Sequence, residues 1–388
     1  MNRVAKLGLL APLVLLLAAG CSKDGESAAP NTPQPVTFEK PITLRGGPDA
    51  TATDVVELPD ESLFVLAGLL NTPDGSRALG IKLTATGDTV WTKRYKFGSN
   101  ATFVMAYGCN AVATVDGQVV MAGFNFTTAT NAVVEKLNST TGAVLWSTVL
   151  PPTQSPLICK VIPTADGGFL AITTGSQNGR FVVHKLSATG ALTTSTLHPG
   201  DVATEIRPTA DGNFIVSGVN SFYDLNEPFL TKITPQGTAL WRQVYAGISL
   251  GATNSVVQTP DGGYALASGS GNDAYSPIQL LRTNANGQQP VLSTVATDIK
   301  GYINRLELGP DNNLILAGVQ AEKTGGYSLL HPLLLRLSPT GTELTRKAQP
   351  TVSGYVASVA KARNGTLVFH STETNKLVVK RTKADLGL

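Results

Sequence analysis

Short apolar runs of strand length, broken by Gly, Pro, Asp or Asn, fill the chain from residue 45 to residue 388. "LFVLAG" (63–68), "VVMAG" (119–123) and "LILAG" (314–318) are examples. No stretch keeps a helical period for about twelve residues or more, so the pattern predicts strands throughout. Before these runs a turn phrase returns: "PTADGGFLAI" at 163, "PTADGNFIVSG" at 208, "TPDGGYALASG" at 259 and "GPDNNLILAG" at 309. Aligned on its acidic residue, the phrase falls at Asp60, Asp116, Asp166, Asp211, Asp261 and Asp311, with Asn364 in the last copy. Gly follows in five of the seven copies, and Glu61 and Asn312 stand there in the other two.

Each copy continues through a variable stretch to a second phrase, such as "IKLTATG" (81–87), "VHKLSATG" (183–190) or "LRLSPTG" (335–341). Trp91, Trp146 and Trp241 each lie four residues after the closing Gly of that phrase. Lys82, Lys185, Lys232, Arg282 and Arg336 precede their Gly by five residues, and Lys136 and Arg381 precede theirs by six. Four short strands per copy of about 50 residues, seven times over, predict an all-β, seven-bladed β-propeller of four-stranded antiparallel blades. A solenoid is the rival. The seventh copy lacks a fourth strand, and "VTFEKPITL" (36–44) precedes the first copy unassigned. That N-terminal strand is expected to complete the last blade and close the ring, with Pro41 tolerated on an outer edge.

Composition agrees with strands and turns, since charged residues are only 15% and Gly reaches 39. Without residues 1–20, which hold Arg3 and Lys6, the net charge falls from +3 to about +1. This balance gives no case for a nucleic-acid partner.

The N-terminus changes the picture more. "MNRVAKLGLLAPLVLLLAAGC" has two cations, an apolar run from Leu7 to Ala19, then Gly20 and Cys21. The run has the length of a signal-peptide core and is short for a membrane span. Its end, "LLLAAGC", resembles the lipobox of bacterial lipoproteins, with Ala18 where that family more often has Leu. The resemblance implies cleavage after residue 20 and lipid on Cys21. "SKDGES" (22–27) resembles the signal that sends Bacteroidota lipoproteins to the cell surface. Residues 21–36, including the Pro- and Ala-rich "SAAPNTPQPV", read as a flexible tether, and 37–388 as the propeller domain.

The repeats resemble those of Bacteroidota propeller lipoproteins, with their "DGGY…LAG…KL…G…W" pattern. "LNSTTGAVLW" (137–146) is similar to the tryptophan-docking repeat of quinoprotein propellers and of a lipoprotein propeller of outer-membrane assembly. These resemblances imply a monomeric lipoprotein at the outer membrane, a binding or scaffold module for protein or glycan partners. A propeller enzyme, quinoprotein-like or glycan-active, and an assembly factor are the alternatives, because this fold hosts all three.

Candidate chemistry is sparse. "GISLG" (247–251) matches a nucleophile elbow as a string, but the segment after Ser249 reads as a strand where a helix is needed. His184, His198, His331 and His370 are scattered without metal-ligand spacing. No catalytic residue, metal site or cofactor is therefore assigned. Cys109 and Cys159 occupy equivalent first-strand positions in adjacent copies, where a disulfide and simple packing are both open readings.

Function is expected where the copies differ. Nine residues before the turn residue they read Thr51, Tyr107, Leu157, Val202, Ala252, Tyr302 and Tyr355. Three residues further on they read Asp54, Asn110, Lys160, Glu205, Ser255, Arg305 and Ser358. Tyr107, Tyr302 and Tyr355 over a mixed-charge ring of Asp54, Lys160, Glu205 and Arg305 make a candidate platform for a sugar or peptide on the loop face. The competing reading packs the tyrosines between blades and pairs Lys160 with Glu205.

Overall fold

The computed structural model describes residues 36–42, 50–69, 77–97, 103–105, 109–126, 130–151, 159–174, 180–220, 226–251, 255–269, 276–324, 327–374 and 376–387. Cys21 and Tyr107 lie outside these residues, as do the signal segment and most of the tether.

Every regular element among the described residues is a β-strand. β1 (Phe38–Ile42) is followed by an antiparallel sheet of β2 (Ala50–Glu57), β3 (Leu63–Leu69), β4 (Arg77–Leu83) and β5 (Thr89–Tyr95). The second sheet holds β6 (Phe103–Met105), β7 (Ala111–Ala113), β8 (Val119–Phe126), β9 (Thr130–Leu137) and β10 (Val144–Val149), with β6 and β7 both pairing β8. The third is β11 (Cys159–Pro163), β12 (Phe169–Thr174), β13 (Arg180–Leu186) and β14 (Leu192–Pro199). The fourth is β15 (Val202–Pro208), β16 (Phe214–Asn220), β17 (Glu227–Ile233) and β18 (Ala239–Val244).

The fifth sheet has seven strands: β19 (Ser255–Gln258), β20 (Tyr264–Gly269), β21 (Pro277–Thr283), β22 (Val291–Leu308), β23 (Leu314–Thr324), β24 (Tyr327–Leu337) and β25 (Glu343–Ala348). The sixth combines β26 (Gly354–Lys361), β27 (Leu367–Glu373) and β28 (Lys376–Thr382) with β1, in the order β1-β28-β27-β26. Phe38 faces Arg381 and Ile42 faces Leu377 in the antiparallel register of β1 on β28.

Seven repeats thus give six sheets, because β22 serves two of them. Its first half pairs β21 and its second half, from Lys300, pairs β23. "VLSTVATDIKGYINRLEL" is rich in β-branched residues, and register shifts interrupt it near Ala296, at φ 51, and between Ile303 and Arg305.

Burial falls from the inner strands to the outer ones. β3 and β12 are buried at every position, whereas β10 and β25 have no buried position. A strand covered on both faces reads as a continuous apolar run, which is why "LFVLAG" does not alternate.

The turn phrase closes a hairpin in which Thr164 N–H donates to the Gly168 carbonyl (2.9 Å) and Gly167 adopts φ 79. That left-handed position suits Gly, and the two exceptions take it at a cost: Glu61 at φ 63 and Asn312 at φ 62. The recurring cation belongs to the same device. Lys136 meets Asp116 at 2.8 Å, Lys185 meets Asp166 at 2.8 Å, Lys232 meets Asp211 at 2.6 Å and Arg336 meets Asp311 at 2.6 Å. The hydrogen bond from Lys185, followed by one from Thr164, holds Asp166 down to a pKa of about 2.

The last repeat departs from this rule in an instructive way. Asn364 replaces the turn Asp, and its cation Arg381 turns instead to Glu57 of β2, at 3.0 Å, with both residues buried. Its second turn is also centred on Leu386 rather than Gly387: Leu386 N–H donates to the Lys383 carbonyl and has φ 70. Arg381 therefore precedes its left-handed residue by five, as most copies do, and not by six.

A second rule joins neighbouring sheets. Trp91 lies against Gly142 of the next repeat, Trp146 against Gly190 and Trp241 against Gly287, each where a Cβ would collide with the indole. Phe38 of β1 lies against Gly87 in the same manner. Each ring sits opposite the cation of its own repeat: Lys82 faces Trp91, Lys232 faces Trp241 and Arg381 faces Phe38.

Candidate functional site

The first strand of a repeat approaches the ring positions through a β-bulge. Register shifts fall between Ala52 and Asp54, Ala203 and Glu205, Ile303 and Arg305, and Val356 and Ser358. A bulge re-aims the next side chain, so the residues just past it form one set. These are the mixed-charge positions read from the sequence.

Much of that set ties repeat to repeat. Asp54 accepts from Val55 N–H and, at 3.1 Å, from Ala111 N–H of the second repeat. It also accepts from the Ser358 hydroxyl of the last. Asn110 spends both ends of its amide on the Val161 backbone, at 2.8 Å each. Tyr355 is half-buried and donates its hydroxyl to the Ala52 carbonyl at 3.2 Å, packed against the cluster of Ala52, Val55 and Val379. Tyr302 is half-buried as well, and burial raises its pKa.

The charged members do not pair as Lys160 with Glu205. Glu205 of the fourth repeat takes Arg305 of the sixth, Nη1 to Oε2 at 2.6 Å, across the position of Ser255. One level nearer the turns, Arg207 meets Glu307 at 3.1 Å and donates to the Leu306 carbonyl. Burial alone would raise the Glu205 pKa. Arg305, then Arg207 and Lys160, outweigh it and hold the carboxyl below its usual range. Burial opposes charge on Arg305 too, and Glu205, Asp54 and Glu307 keep the guanidinium protonated.

Lys160 is left with a carbonyl. Its Nζ donates to Cys109 O at 3.1 Å, and no carboxylate lies within ion-pair distance of it among the described residues. The set therefore joins a neutralised Glu–Arg bridge to one ammonium group without a carboxylate contact. Chemically it can hold an acidic or hydroxyl-bearing group.

Arg207 and Glu307 escaped the sequence reading, although a signal existed. Two residues after the ring position the copies read Val56, Val112, Ile162, Arg207, Val257, Glu307 and Ala360. Two opposite charges among five apolar residues mark a pair.

Elsewhere the chemistry is structural. Ser249 lies in the connection between β18 and β19, after a turn in which Ile248 N–H donates to the Tyr245 carbonyl, and the next element is a strand rather than a helix. His184 sits between the Thr173 and Ser195 hydroxyls, both at 2.9 Å. His198 donates Nε2–H to the Gly237 carbonyl, and His331 donates Nδ1–H to the Val352 carbonyl. No group of three His, Cys, Asp or Glu side chains suited to a metal occurs among the described residues. Cys109 is buried, and a Cys109–Cys159 bond concerns a side chain outside the described set.

No family model and no curated protein sequence matches the chain. Solved structures do match, all at low identity. Hydrazine synthase of Kuenenia stuttgartiensis aligns with TM-score 0.57 and 13% identity, over 89% of this chain and 100% of that one. The Dos1 propeller aligns with TM-score 0.53 and 10% identity, over 85% and 77%. The polysaccharide lyase Uly1 aligns with TM-score 0.54 and 10% identity, over 86% and 90%. At this identity the likeness concerns the fold alone, and the fold is a β-propeller of antiparallel sheets.

Proposed function

We propose that the chain is a closed, seven-bladed β-propeller lipoprotein, anchored through Cys21 to the outer membrane. It presents a binding or scaffold surface to a glycan or protein partner. Three observations support seven blades and closure. β22 supplies an outer strand to one four-stranded group and an inner strand to the next. β1 pairs β28 and sends Phe38 onto Gly87. Thr372, Ser358 and Arg381 of the last repeat bond Ala52, Asp54 and Glu57 of the first.

The binding role rests on the ammonium of Lys160, which meets a carbonyl and no carboxylate beside the Glu205–Arg305 bridge. That ammonium acts on Glu205 from beyond ion-pair distance, so its direct contacts still leave room for a carboxylate. An acidic sugar or a peptide carboxylate would take that place, and half-buried Tyr302 would offer a face for stacking.

The test is capture on an array of acidic and neutral glycans and peptides. Lys160→Ala is expected to cut capture of the best acidic member at least about tenfold, or about 1.4 kcal/mol. Tyr302→Ala should weaken it less. Equal capture by a folded Lys160→Ala protein ends the reading. Anchorage is checked separately by fatty-acid labelling, which Cys21→Ala should abolish.

A further inference from the structure

Three junctions between repeats are filled by a buried ring that donates a hydrogen bond across them, and the junction after the sixth repeat has none. Four residues after Trp91, Tyr95 is buried and donates its hydroxyl to the Gly142 carbonyl of the next repeat at 2.8 Å. Four residues after Trp241, Tyr245 does the same to the Gly287 carbonyl at 2.9 Å. His198 holds this place in the third repeat and donates to Gly237 at 2.9 Å. In the sixth repeat Thr345 faces the cation Arg336, so the equivalent residue is Gln349.

Gln349 does not fill the space. Its Oε1 is buried without a hydrogen-bond partner, and a cleft of about 330 Å³ opens beside it. Leu334, Val356, Phe369 and Leu386 form the apolar wall, with Ser371 among them. Two wall positions match the filled junction of the fourth and fifth repeats, while Lys380, paired with Glu373 at 2.9 Å, stands where Leu281 does and gives the cleft a charged rim. Leu334 stands where Leu230 packs on Tyr245, and Ser371 stands where Ser268 does. Leu386, in the left-handed position, corresponds to Gly287, and its carbonyl corresponds to the acceptor of the Tyr245 hydroxyl.

We propose that this cleft binds the phenol ring of a tyrosine presented by a partner polypeptide, with the hydroxyl donating to the Leu386 carbonyl. The chain's own tyrosines define the guest: a flat ring that is apolar on both faces, with one donor at its tip. The cleft volume falls in the range of ligand pockets. A polypeptide is the expected carrier because β25 is the edge of its sheet and none of its residues is buried. An extended segment laid along that edge can turn alternate side chains into the cleft. The site is separate from Lys160 and Tyr302, so either can fail without the other.

The experiment uses the full chain with methyl labels on Leu and Val. Two probes are titrated: p-cresol, and a capped pentapeptide with tyrosine at its centre. Both are expected to bind and to shift the methyl signals of Leu334, Val356 and Leu386, the pentapeptide more tightly. Gln349→Tyr should fill the cleft, raise Tm by about 2–4 °C and abolish both titrations. The proposal is overturned if neither probe shifts those methyls, or if p-cresol binds and the pentapeptide does not. Undiminished binding by a folded Gln349→Tyr protein overturns it too. Should that variant not fold, the wild-type shifts decide: signals from Leu334 and Leu386 uphold the site, and their absence overturns it.

Discussion

A chain lacking residues 36–44 is expected to lose its cooperative melting transition, whereas a chain lacking residues 22–35 melts like the parent. β1 makes five pairings on β28 and buries Ile42 in one cluster with Leu377, Val379 and Ile81. Phe38 covers Gly87, and the Lys40 ammonium meets Asp88 on the first repeat. Losing buried Ile42 costs about 1.5–3 kcal/mol in burial, and losing half-buried Phe38 adds a smaller amount. Without β1, the buried face of β28 also meets water as an open edge. The sum approaches the whole stability of an ordinary domain, about 5–15 kcal/mol.

The same seam holds Arg381 against Glu57, and both are almost wholly buried. Removing one member of such a pair costs about 3–5 kcal/mol, because the other stays buried and charged. Glu57→Ala should therefore resemble a partial truncation, and Glu57→Ala with Arg381→Met should recover part of the loss. Two truncations with the same melting curve would show that β1 does not carry the seam.

How far the sequence could be read depended on whether a feature repeats. Turn residues, second-strand runs and the tryptophans recur at one spacing, so alignment of the copies exposes them before any coordinates exist. Even the exceptions Glu61 and Asn312 proved local, each simply accepting the φ that Gly takes elsewhere. Alignment also showed that a cation recurs, but the pairing of Lys232 with Asp211 crosses two strands and needs the sheet register.

Singular features were harder to read. Equivalence places Lys160 and Glu205 in adjacent repeats, and proximity suggests that they pair. The structure gives Glu205 to Arg305, two repeats away, because the first strands converge and a long guanidinium spans the gap. Nothing in a repeat alignment measures that convergence. The seam pair Arg381–Glu57 was hidden for a similar reason: Asn364 showed that Arg381 lacked its usual partner, but not where it would turn.

Acid should unfold this protein earlier than its carboxylates alone dictate. Burial depresses His184 to a pKa of about 4, between the Thr173 and Ser195 hydroxyls. Burial also depresses His370 to about 4, against an opposing pull from the Asp54 carboxylate and backbone. In the unfolded chain both rings titrate near 6.5. The folded state thus binds these protons less readily, and stability falls as pH drops from 6.5 towards 4. Above 6.5 both rings are neutral in either state and the penalty is absent.

Between pH 7 and 4.5 each histidine should remove about 2 kcal/mol. The turn carboxylates act later, since Asp166 holds its charge down to about pH 2 and loses its contribution below about pH 4. His370→Leu removes a buried titrating group, so it should flatten the upper part of the profile while keeping the core apolar. Urea midpoints measured at half-unit intervals from pH 7.5 to 4 decide the matter. A His370→Leu profile parallel to wild type would mean that the ring titrates alike in both states and that burial does not set its pKa.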